Sequence, residues 1–459
     1  MSKNEKFAKT AFGFANRKRK NESASENRKR KNGKTKKLKR KGETALMQNK
    51  QSENMPDKIY KCIIIGGGFS GLVLADKLLE TLKPDELLVL ERNDRVGKKI
   101  TVTGNGRGNV SNKELSVNNY HGGNPSFCAY AIEKCDNADE IKYFERLGIL
   151  FCEENGKYYP AGFQASSVLD ALRFSLAKKG ANILTQTKVD GIKRLNGKFI
   201  VLSGDKKYAA EKLAICTGGK AQKQFGTDGS FFDVIKKLSH TVTPLYPSLV
   251  QIKTDKESIK GLKGIKQKAK LTLFEGNKEI KSFIGDLLFT DFGISGDSCF
   301  RLSAYLENKQ NCSIKAEFLP DVDKKRLTDF LKSKISYGTT NEEVLNGIIN
   351  KQLGKVVIRQ CGLNPTDVAA VNSAEIIADK IKNYRFSVVG TLGFDYAQVT
   401  HGGVNTQEIN PKTMESTLIK GLYFAGEVID IDGDCGGYNL QWAYSSASVA
   451  AKAILSDEG

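Results

Sequence analysis

The clearest hydrophobic pattern of the chain lies at residues 61–92. An uninterrupted apolar run at 62–65 is followed by a glycine-rich turn, by apolar residues at helical spacing, and by a second apolar run at 87–90. Continuous apolar runs are typical of strands buried on both faces of a parallel sheet, whereas recurrence every three or four residues indicates a helix. The pattern therefore predicts a strand–helix–strand unit at the start of a parallel sheet.

The turn of this unit contains Gly66, Gly68 and Gly71 in the spacing GxGxxG, and Glu91 ends the second strand 20 residues later. Glycines at these positions permit a tight turn, the approach of a pyrophosphate to the backbone, and close packing of helix against strand. The partial positive charge of the helix N-terminus suits a diphosphate, and the Glu91 carboxylate can accept hydrogen bonds from a ribose diol. A purely structural turn is the alternative, but this order and spacing predict a dinucleotide site.

The next part of the chain alternates between helical and strand patterns. A strand at 181–189 would lead the backbone to the adenine of a dinucleotide, which makes Val189 a candidate contact. The turn at Thr217 and Gly218 follows a buried strand and is expected near the pyrophosphate. The predicted elements are helices at 136–147 and 166–178, hairpins at 152–161 and 198–213, and strands at 181–189 and 213–216.

After residue 244 the pattern changes to short strands of alternating polarity that are followed by helices. We therefore predict an inserted substrate domain at 244–384, and a nucleotide-binding domain formed by 55–243 and 385–459. Residues 386–393 are expected to return to the large sheet. Within the insertion, the predicted strands are 249–254, 269–274, 287–290 and 312–318, and the predicted helices are 324–335 and 341–349.

The C-terminal segment changes the expected cofactor. Residues 421–427 (GLYFAGE) form an apolar run that closes on Glu427, and a Cys-Gly-Gly-Tyr-Asn sequence then leads into a helix of small residues at 443–455. A carboxylate after such a strand can bind a ribityl hydroxyl, and the following helix N-terminus can direct backbone N–H groups at the pyrimidine edge of a flavin. Combined with the N-terminal unit, this ending predicts FAD held by both ends of the chain.

Charge is concentrated at the start of the chain. Residues 1–54 contain 18 Lys and Arg against 5 Glu, which is +13 of the net charge of +20, and they show almost no apolar periodicity. We predict a disordered basic tail. Three interpretations of this segment are open. It could be a solvated tail, an RNA-binding arm that contacts phosphates, or sequence upstream of the usual translation start at Met55 or Met47.

Several classes of protein are not expected. No apolar run approaches the ~20 residues of a membrane span, and the nine scattered cysteines lack CxxC or metal-ligand spacing. These features predict reduced thiols, a cytoplasmic location and no metal centre. A second GxGxxG unit is also missing, so NAD(P)H would act as a transient reductant without a domain of its own.

The motifs in combination resemble the BaiN/RdsA-type (aminoacetone oxidase-like) FAD-dependent oxidoreductases. The resemblance extends over residues 63–450 and implies an α/β fold: a Rossmann-like FAD-binding domain of the two-dinucleotide-binding-domain flavoprotein type, with an inserted β-rich plus helical domain. The motifs that carry it are IIIGGGFSGL, ERNDRVGKKITVTGNGRGNVSN, TGGKAQKQFGTDGS, YPSLV, FTDFGISG, VTHGGVNTQEINPKTMES and GLYFAGEVIDIDGDCGGYNLQWA. The predicted cofactor-binding residues are Gly66, Gly68, Gly71, Glu91, Arg92, Lys98, Lys99, Val189, Thr217, Gly218, Gly426, Glu427, Gly436, Gly437, Tyr438 and Asn439.

The leading functional hypothesis is reduction of an activated C=C bond by hydride transfer from flavin N5. The resemblance links family members to a uridine of large-subunit rRNA, which gives dihydrouridine, and to steroid-type enones. Net positive charge favours the RNA substrate, because phosphate contacts dominate affinity for nucleic acids. The alternatives are a reductase of small enones, an amine oxidase, and a flavin-carrying RNA-binding factor.

Three residues are candidates for catalysis. Arg107 could bind a carbonyl or a phosphate near the flavin, although a plain pyrophosphate ligand is an equal alternative. His401 could donate a proton or be a surface histidine, and Cys435 could be a general acid or a small filler. The chain departs from the family pattern here, since Gly108 stands between Arg107 and Asn109 where a cysteine is usual. Other departures are Asp291 and Asp297 in place of His and Pro, and Cys435 where threonine is common.

Overall fold

The structure is a computed structural model that describes residues 55–306 and 309–456. The basic tail predicted at 1–54 lies outside the described residues. The strands are β1 (Ile59–Ile65), β2 (Leu87–Leu90), β3 (Ser111–Asn112), β4 (Tyr120–His121), β5 (Phe151–Glu154), β6 (Lys157–Pro160), β7 (Ile183–Leu184), β8 (Gly191–Leu195), β9 (Lys198–Ser203), β10 (Lys206–Ile215), β11 (Tyr246–Ser248), β12 (Ile252–Thr254), β13 (Lys266–Glu275), β14 (Lys278–Phe289), β15 (Gly293–Ser295), β16 (Cys312–Phe318), β17 (Tyr384–Thr391), β18 (Val399–His401), β19 (Leu422–Phe424) and β20 (Asp432–Gly433). The α-helices are α1 (Phe69–Leu78), α2 (Ala129–Lys134), α3 (Asn137–Arg146), α4 (Ala165–Lys178), α5 (Phe232–Lys237), α6 (Asp297–Ser303), α7 (Lys324–Ile335), α8 (Lys351–Gln360), α9 (Ser373–Lys382) and α10 (Tyr438–Leu455).

A seven-stranded sheet combines the two ends of the chain. Its order is β7-β2-β1-β10-β9-β8, and β19 also pairs with β10. The pairs β7–β2, β2–β1, β1–β10 and β10–β19 are parallel, whereas β9 and β8 continue as antiparallel neighbours. The apolar run of β1 is buried because helices cover the sheet. This arrangement confirms the predicted α/β class, and it shows that the hairpin and strand expected at 198–216 share one long strand, β10.

The packing of α1 against β1 depends on two glycines, which have no side chain. A Cβ atom at Gly71 would lie 1.9 Å from the carbonyl oxygen of Gly66. Gly66 has a φ of +108°, and a Cβ there would lie 2.4 Å from the carbonyl oxygen of Cys216 in the neighbouring turn. The C-terminal helix α10 also packs against α1. The glycine turn therefore sets the position of two helices over the sheet.

A closed barrel forms the inserted part of the fold, in the order β12-β15-β14-β13-β16-β17. It has a hydrophobic core separate from that of the large sheet, with Leu271, Phe318 and Phe386 among its fully buried members. The prediction that 386–393 returns to the large sheet is wrong. Phe386 pairs with Ile314 of β16, and Thr391 pairs with Ile252 of β12, so β17 closes the barrel.

Two further secondary-structure predictions are wrong in detail. Residues 341–349, predicted as a helix, form successive turns, and Gly347 has a φ of +79°. The helix α8 begins only after Asn350, whose side chain accepts hydrogen bonds from the backbone N–H groups of Gln352 and Leu353. The strand expected at 181–189 is reduced to β7, because only its two residues pair with β2.

The described residues contain no helix with the length and apolar character needed to cross a membrane. All nine cysteines are free thiols.

We expect Gly71→Ala to lower the free energy of unfolding by about 1–3 kcal/mol or more, because the added methyl group must displace the Gly66 carbonyl. Denaturant unfolding of purified protein measures this. Gly162→Ala is the matched control, since a Cβ at Gly162 meets nothing within 4 Å. Equal stability of the two variants would contradict the packing argument.

Candidate functional site

A cleft of about 950 Å³ lies at the carboxyl ends of the parallel strands, between the large sheet and the barrel. Ile65, Leu90 and Cys216 line it at the ends of β1, β2 and β10. Gln251 and Phe300 line it from the inserted part of the chain. In α/β sheets, ligands bind at this edge of the sheet.

Two helix N-termini face the cleft. Helix α1 begins after Gly68, which lines the cleft and has nothing within 4 Å of a Cβ position. Helix α10 begins after Gly437, which has a φ of +100° and also lines the cleft. Neither helix has an acidic residue in its first turn. The positive ends of both helix dipoles are therefore available to an anionic or hydrogen-bond-accepting ligand.

Glu91 braces the glycine turn as well as lining the cleft. Its Oε2 accepts a hydrogen bond of 2.8 Å from the backbone N–H of Gly67. Its Oε1 accepts bonds of 2.7 Å from the backbone and side-chain nitrogens of Asn93. Each carboxylate oxygen has two lone pairs, so Oε1 is fully used and Oε2 retains one acceptor site for a hydroxyl group of a ribose diol. The spacing of Glu91 after the glycine turn predicted a contact with the ribose diol, but it did not predict the structural hydrogen bond with Gly67.

The predicted cofactor-binding cations are paired with carboxylates. Arg92 makes a two-bond contact with Asp228, of 2.7 and 2.8 Å, which holds the pKa of that carboxyl well below its usual range. The Nζ of Lys99 lies 2.7 Å from Oε2 of Glu427 and thereby joins the two ends of the chain across the cleft. Lys98 pairs with Asp94 at 2.5 Å. Ion pairs with carboxylates therefore fix the positions of these basic side chains on the cleft wall.

Four buried polar atoms on the cleft wall have no hydrogen-bond partner among the described residues. They are Oδ1 of Asn109, Oγ1 of Thr217, Oε1 of Gln251 and Nε1 of Trp442. Buried polar groups are nearly always paired, so such a cluster indicates a ligand. FAD has carbonyl groups, ring nitrogens and ribityl hydroxyls that can satisfy both acceptors and donors. The residues present therefore fit FAD.

Most of the predicted site residues meet in this cleft. Those that line it are Gly66, Gly68, Glu91, Arg92, Lys98, Lys99, Arg107, Val189, Thr217, Gly218, Glu427, Cys435, Gly436, Gly437 and Asn439. Gly71, Gly426 and Tyr438 do not line it. Gly426 donates its N–H to Oγ of Ser446, and the Tyr438 hydroxyl donates to the carbonyl of Glu114, so these two residues support the surrounding packing.

His401 lies on another cavity. It lines a space of about 440 Å³ beside Tyr246, and its Nδ1 is 2.7 Å from Oδ1 of Asp432. Strand β18 pairs with β11 and places the imidazole there, while the preceding Val399 lines the main cleft. The structure therefore does not bring His401 together with the other candidates, and the side chain is largely buried rather than on the surface.

Cys435 lies in the cleft wall beside a charged pair. Burial raises the pKa of its thiol to about 12, and the nearby Asp297 carboxylate acts in the same direction. Nζ of Lys157 lies 3.7 Å from Oδ1 of Asp297. Lys157 comes from the hairpin β5–β6 and Asp297 begins α6, so sequence spacing held no signal for this association with Cys435.

Arg107 is held by aromatic rings. Its guanidinium lies 4.3 Å from the ring centroid of Tyr159 and 4.4 Å from that of Phe163, and it forms an ion pair with Glu154. Such stacking fixes a planar cation at the cleft wall.

Residues 60–453 match the family described as the HI0933-like protein Rossmann domain. The chain belongs to the HI0933-like family. A 3-dehydro-bile acid delta(4,6)-reductase of Clostridium scindens is 32% identical over 401 residues, which cover 85% of this chain and 98% of that protein. A ribosomal RNA dihydrouridine synthase of Haemophilus influenzae is 31% identical over 410 residues, with coverage of 85% and 98%. The corresponding Escherichia coli synthase is 28% identical over 405 residues, with coverage of 86% and 98%.

Among solved structures, 3-ketosteroid-delta4-(5alpha)-dehydrogenase from Rhodococcus jostii RHA1 is 12% identical at a TM-score of 0.46, and the alignment covers 89% of this chain and 99% of that one. Family membership and a cleft that fits the cofactor identify this HI0933-like chain as an FAD-dependent oxidoreductase. The resemblance inferred from its motifs is confirmed.

We expect Thr217→Val to weaken FAD binding about two- to tenfold, because the hydroxyl group has no partner other than a ligand. The same change should leave the stability of the FAD-free protein unchanged or raised, since it removes an unsatisfied buried group. Flavin titration and denaturant unfolding measure the two effects. In the control Thr227→Val, the lost hydroxyl donates to the carbonyl of Ala221, so stability should fall. Unchanged FAD affinity in Thr217→Val would contradict the assignment.

Proposed function

We propose that this HI0933-like oxidoreductase reduces the C=C bond of a uridine in large-subunit rRNA to give dihydrouridine, with NAD(P)H as the transient reductant. The observation that carries the reduction of an activated C=C bond is geometric: the Cys435 thiol lies on the wall of the flavin cleft near Asp297 and its ion-pair partner Lys157. Reduction of an activated C=C bond requires a hydride at the β-carbon, a proton at the α-carbon, and a cationic or N–H donor at the carbonyl oxygen.

When bound, FAD would supply the hydride that this reduction requires. The chain supplies the proton. Because the pKa of Cys435 is raised to about 12, the group is a neutral thiol throughout the physiological range and holds a transferable proton on Sγ. The thiolate left after transfer lies near the positive charges of Lys157 and Arg301, which lower the pKa of Cys435 and stabilise its charged form.

Lys157 and Arg107 supply positive charge at the cleft wall. The separation of 3.7 Å between Lys157 and Asp297 is that of a loose ion pair, and an ammonium group has three donors, so Lys157 keeps donors for a substrate carbonyl. Arg107 is held by the rings of Tyr159 and Phe163 and by its ion pair with Glu154, and its guanidinium has further N–H donors for a carbonyl or phosphate oxygen. The two cations would therefore orient a uracil ring whose carbonyls need polarisation.

Net charge supports RNA over a small neutral substrate. The chain carries a net charge of +20, with 72 Lys and Arg against 52 Asp and Glu, and residues 55–459 account for +7 of it. Two of the similar proteins are named ribosomal RNA dihydrouridine synthases. Phosphate contacts dominate affinity for nucleic acids, so a strongly basic protein gains most from an RNA substrate.

A small enone is the second candidate. The bile acid reductase of Clostridium scindens has an identity of 32%, close to the 31% of the Haemophilus influenzae synthase. Val102, Leu288 and Phe300 give the cleft an apolar wall that would accept a steroid-like skeleton. The same proton donor and cation would act on an enone, so the chemistry is common to both candidates.

Deletion of the gene should remove dihydrouridine at one position or more of large-subunit rRNA, and the wild-type gene should restore it. Mapping by reverse-transcription signatures or mass spectrometry of rRNA fragments measures this. An unchanged dihydrouridine pattern would exclude the rRNA substrate, and NAD(P)H-driven reduction of a steroid-type enone by the purified enzyme would then support the second candidate.

We expect Cys435→Ala to slow substrate reduction by about 10²–10⁴-fold, the usual contribution of a general acid. Flavin reduction by NAD(P)H should be unaffected, because that half-reaction needs no proton from Cys435. Rapid-mixing absorbance of the flavin separates the two half-reactions. Cys361→Ala is the matched control, since this thiol is also partly buried but lies away from the cleft. A full rate of substrate reduction in Cys435→Ala would rule out the thiol as proton donor.

A further inference from the structure

A pocket of about 270 Å³ lies outside the flavin cleft, among helices α1, α2, α3 and α10. Its volume is several times the ~30 Å³ share of one liquid water, and it falls below the ~300–1,000 Å³ of pockets for drug-sized ligands. A small ion with a few waters fits this space, whereas a nucleotide does not. The charged residues that line it are Lys77, Lys134, Lys142, Arg146, Lys452 and Asp139.

The positive charge of this pocket is not neutralised by ion pairs. Lys134 pairs with Glu133 at 3.2 Å. Within the described part of the chain, none of Lys77, Lys142, Arg146 and Lys452 has a carboxylate within 4.0 Å. This differs from the flavin cleft, where Arg92, Lys98 and Lys99 each have an acidic partner.

Lys77 is the buried member of the group. Its Nζ lies 4.5 and 4.9 Å from the ring centroids of Tyr143 and Tyr444, and it donates a 3.4 Å hydrogen bond to the Tyr444 hydroxyl. Burial lowers the pKa of Lys77; Cys135 and Glu80 act to raise it, while Arg146 and Lys452 act in the same direction as burial. Glu80 and Glu140 act on Lys77 electrostatically, but among the described residues no carboxylate lies within 4.0 Å of this half-buried ammonium group, so an anion in the pocket would stabilise its charged form.

Helix dipoles explain only part of the cluster. Lys77, Lys134 and Arg146 lie in the last turns of α1, α2 and α3, where cations interact favourably with helix C-termini. Lys142 lies in the middle of α3, one turn before Arg146, and like charges at that spacing repel each other. Their convergence on one cavity gives it a positive potential that favours a small anion.

We propose that this pocket is a phosphate-binding site. The oxygens of a phosphate group would accept hydrogen bonds from Lys142, Arg146 and Lys452 at the mouth, while Lys77 supplies charge from below. The group could belong to free phosphate or to an RNA phosphodiester, which share this chemistry. The inference does not depend on the substrate of the flavin cleft.

Isothermal titration of the FAD-loaded enzyme with inorganic phosphate tests the site. The double variant Lys142→Gln/Arg146→Gln should weaken phosphate binding by about tenfold or more, the effect of losing roughly 1.4 kcal/mol. The control Lys325→Gln/Lys351→Gln removes the same charge from exposed positions on α7 and α8, and it should bind phosphate like the wild type. Both side chains of the first variant are exposed, and the single variant Arg146→Gln provides a milder test if the double variant loses stability.

A second arm identifies the source of the phosphate group. A single-stranded RNA without terminal phosphates is titrated against the same proteins. Weaker RNA binding in the pocket variant than in the charge-matched control, with competition by inorganic phosphate, would assign the site to a phosphodiester. Binding of inorganic phosphate alone would assign it to the free ion. The proposal is overturned if neither ligand distinguishes the pocket variant from the control.

Discussion

The close approach of helix α1 to the carboxyl end of β1 is the constraint on which the rest of the structure depends. Gly71 leaves no room for a side chain against the Gly66 carbonyl, so the helix packs directly on the turn. The Glu91 carboxylate then ties Gly67 to the end of β2. Because α10 packs on α1, the C-terminal half of the flavin site takes its position from the same turn.

The flavin cleft is assembled from four separated parts of the chain. Thr217 and Asn109 come from the loops around the large sheet, Gln251 from the approach to the barrel, and Trp442 from α10. Each has a buried polar atom without a partner among the described residues. A bound cofactor that satisfies these groups would stabilise the folded protein by mass action.

Charge is handled differently in the two pockets. In the cleft, Arg92 and Lys99 are paired with Asp228 and Glu427, and the N-termini of α1 and α10 have no acidic residue in their first turns. In the small pocket on the helical face, Lys142 and Arg146 have no such partners within the described residues. Paired basic side chains in the cleft have fixed positions, which favours orientation of a large cofactor. Basic side chains without an ion-pair partner in the small pocket favour binding of a small anion.

The sequence by itself determined the elements with local causes: the β1–α1–β2 unit, the FAD class of cofactor, and the family. Apolar periodicity and glycine spacing act over a few residues and do not depend on distant partners. Residues 386–393 could not be placed in this way, because an alternating strand suits a barrel or an open sheet equally. The same holds for Lys157, Asp297 and Cys435, and for the position of His401 on another cavity. Only tertiary structure decided these contacts, since they depend on the pairing of strands that lie far apart in the chain.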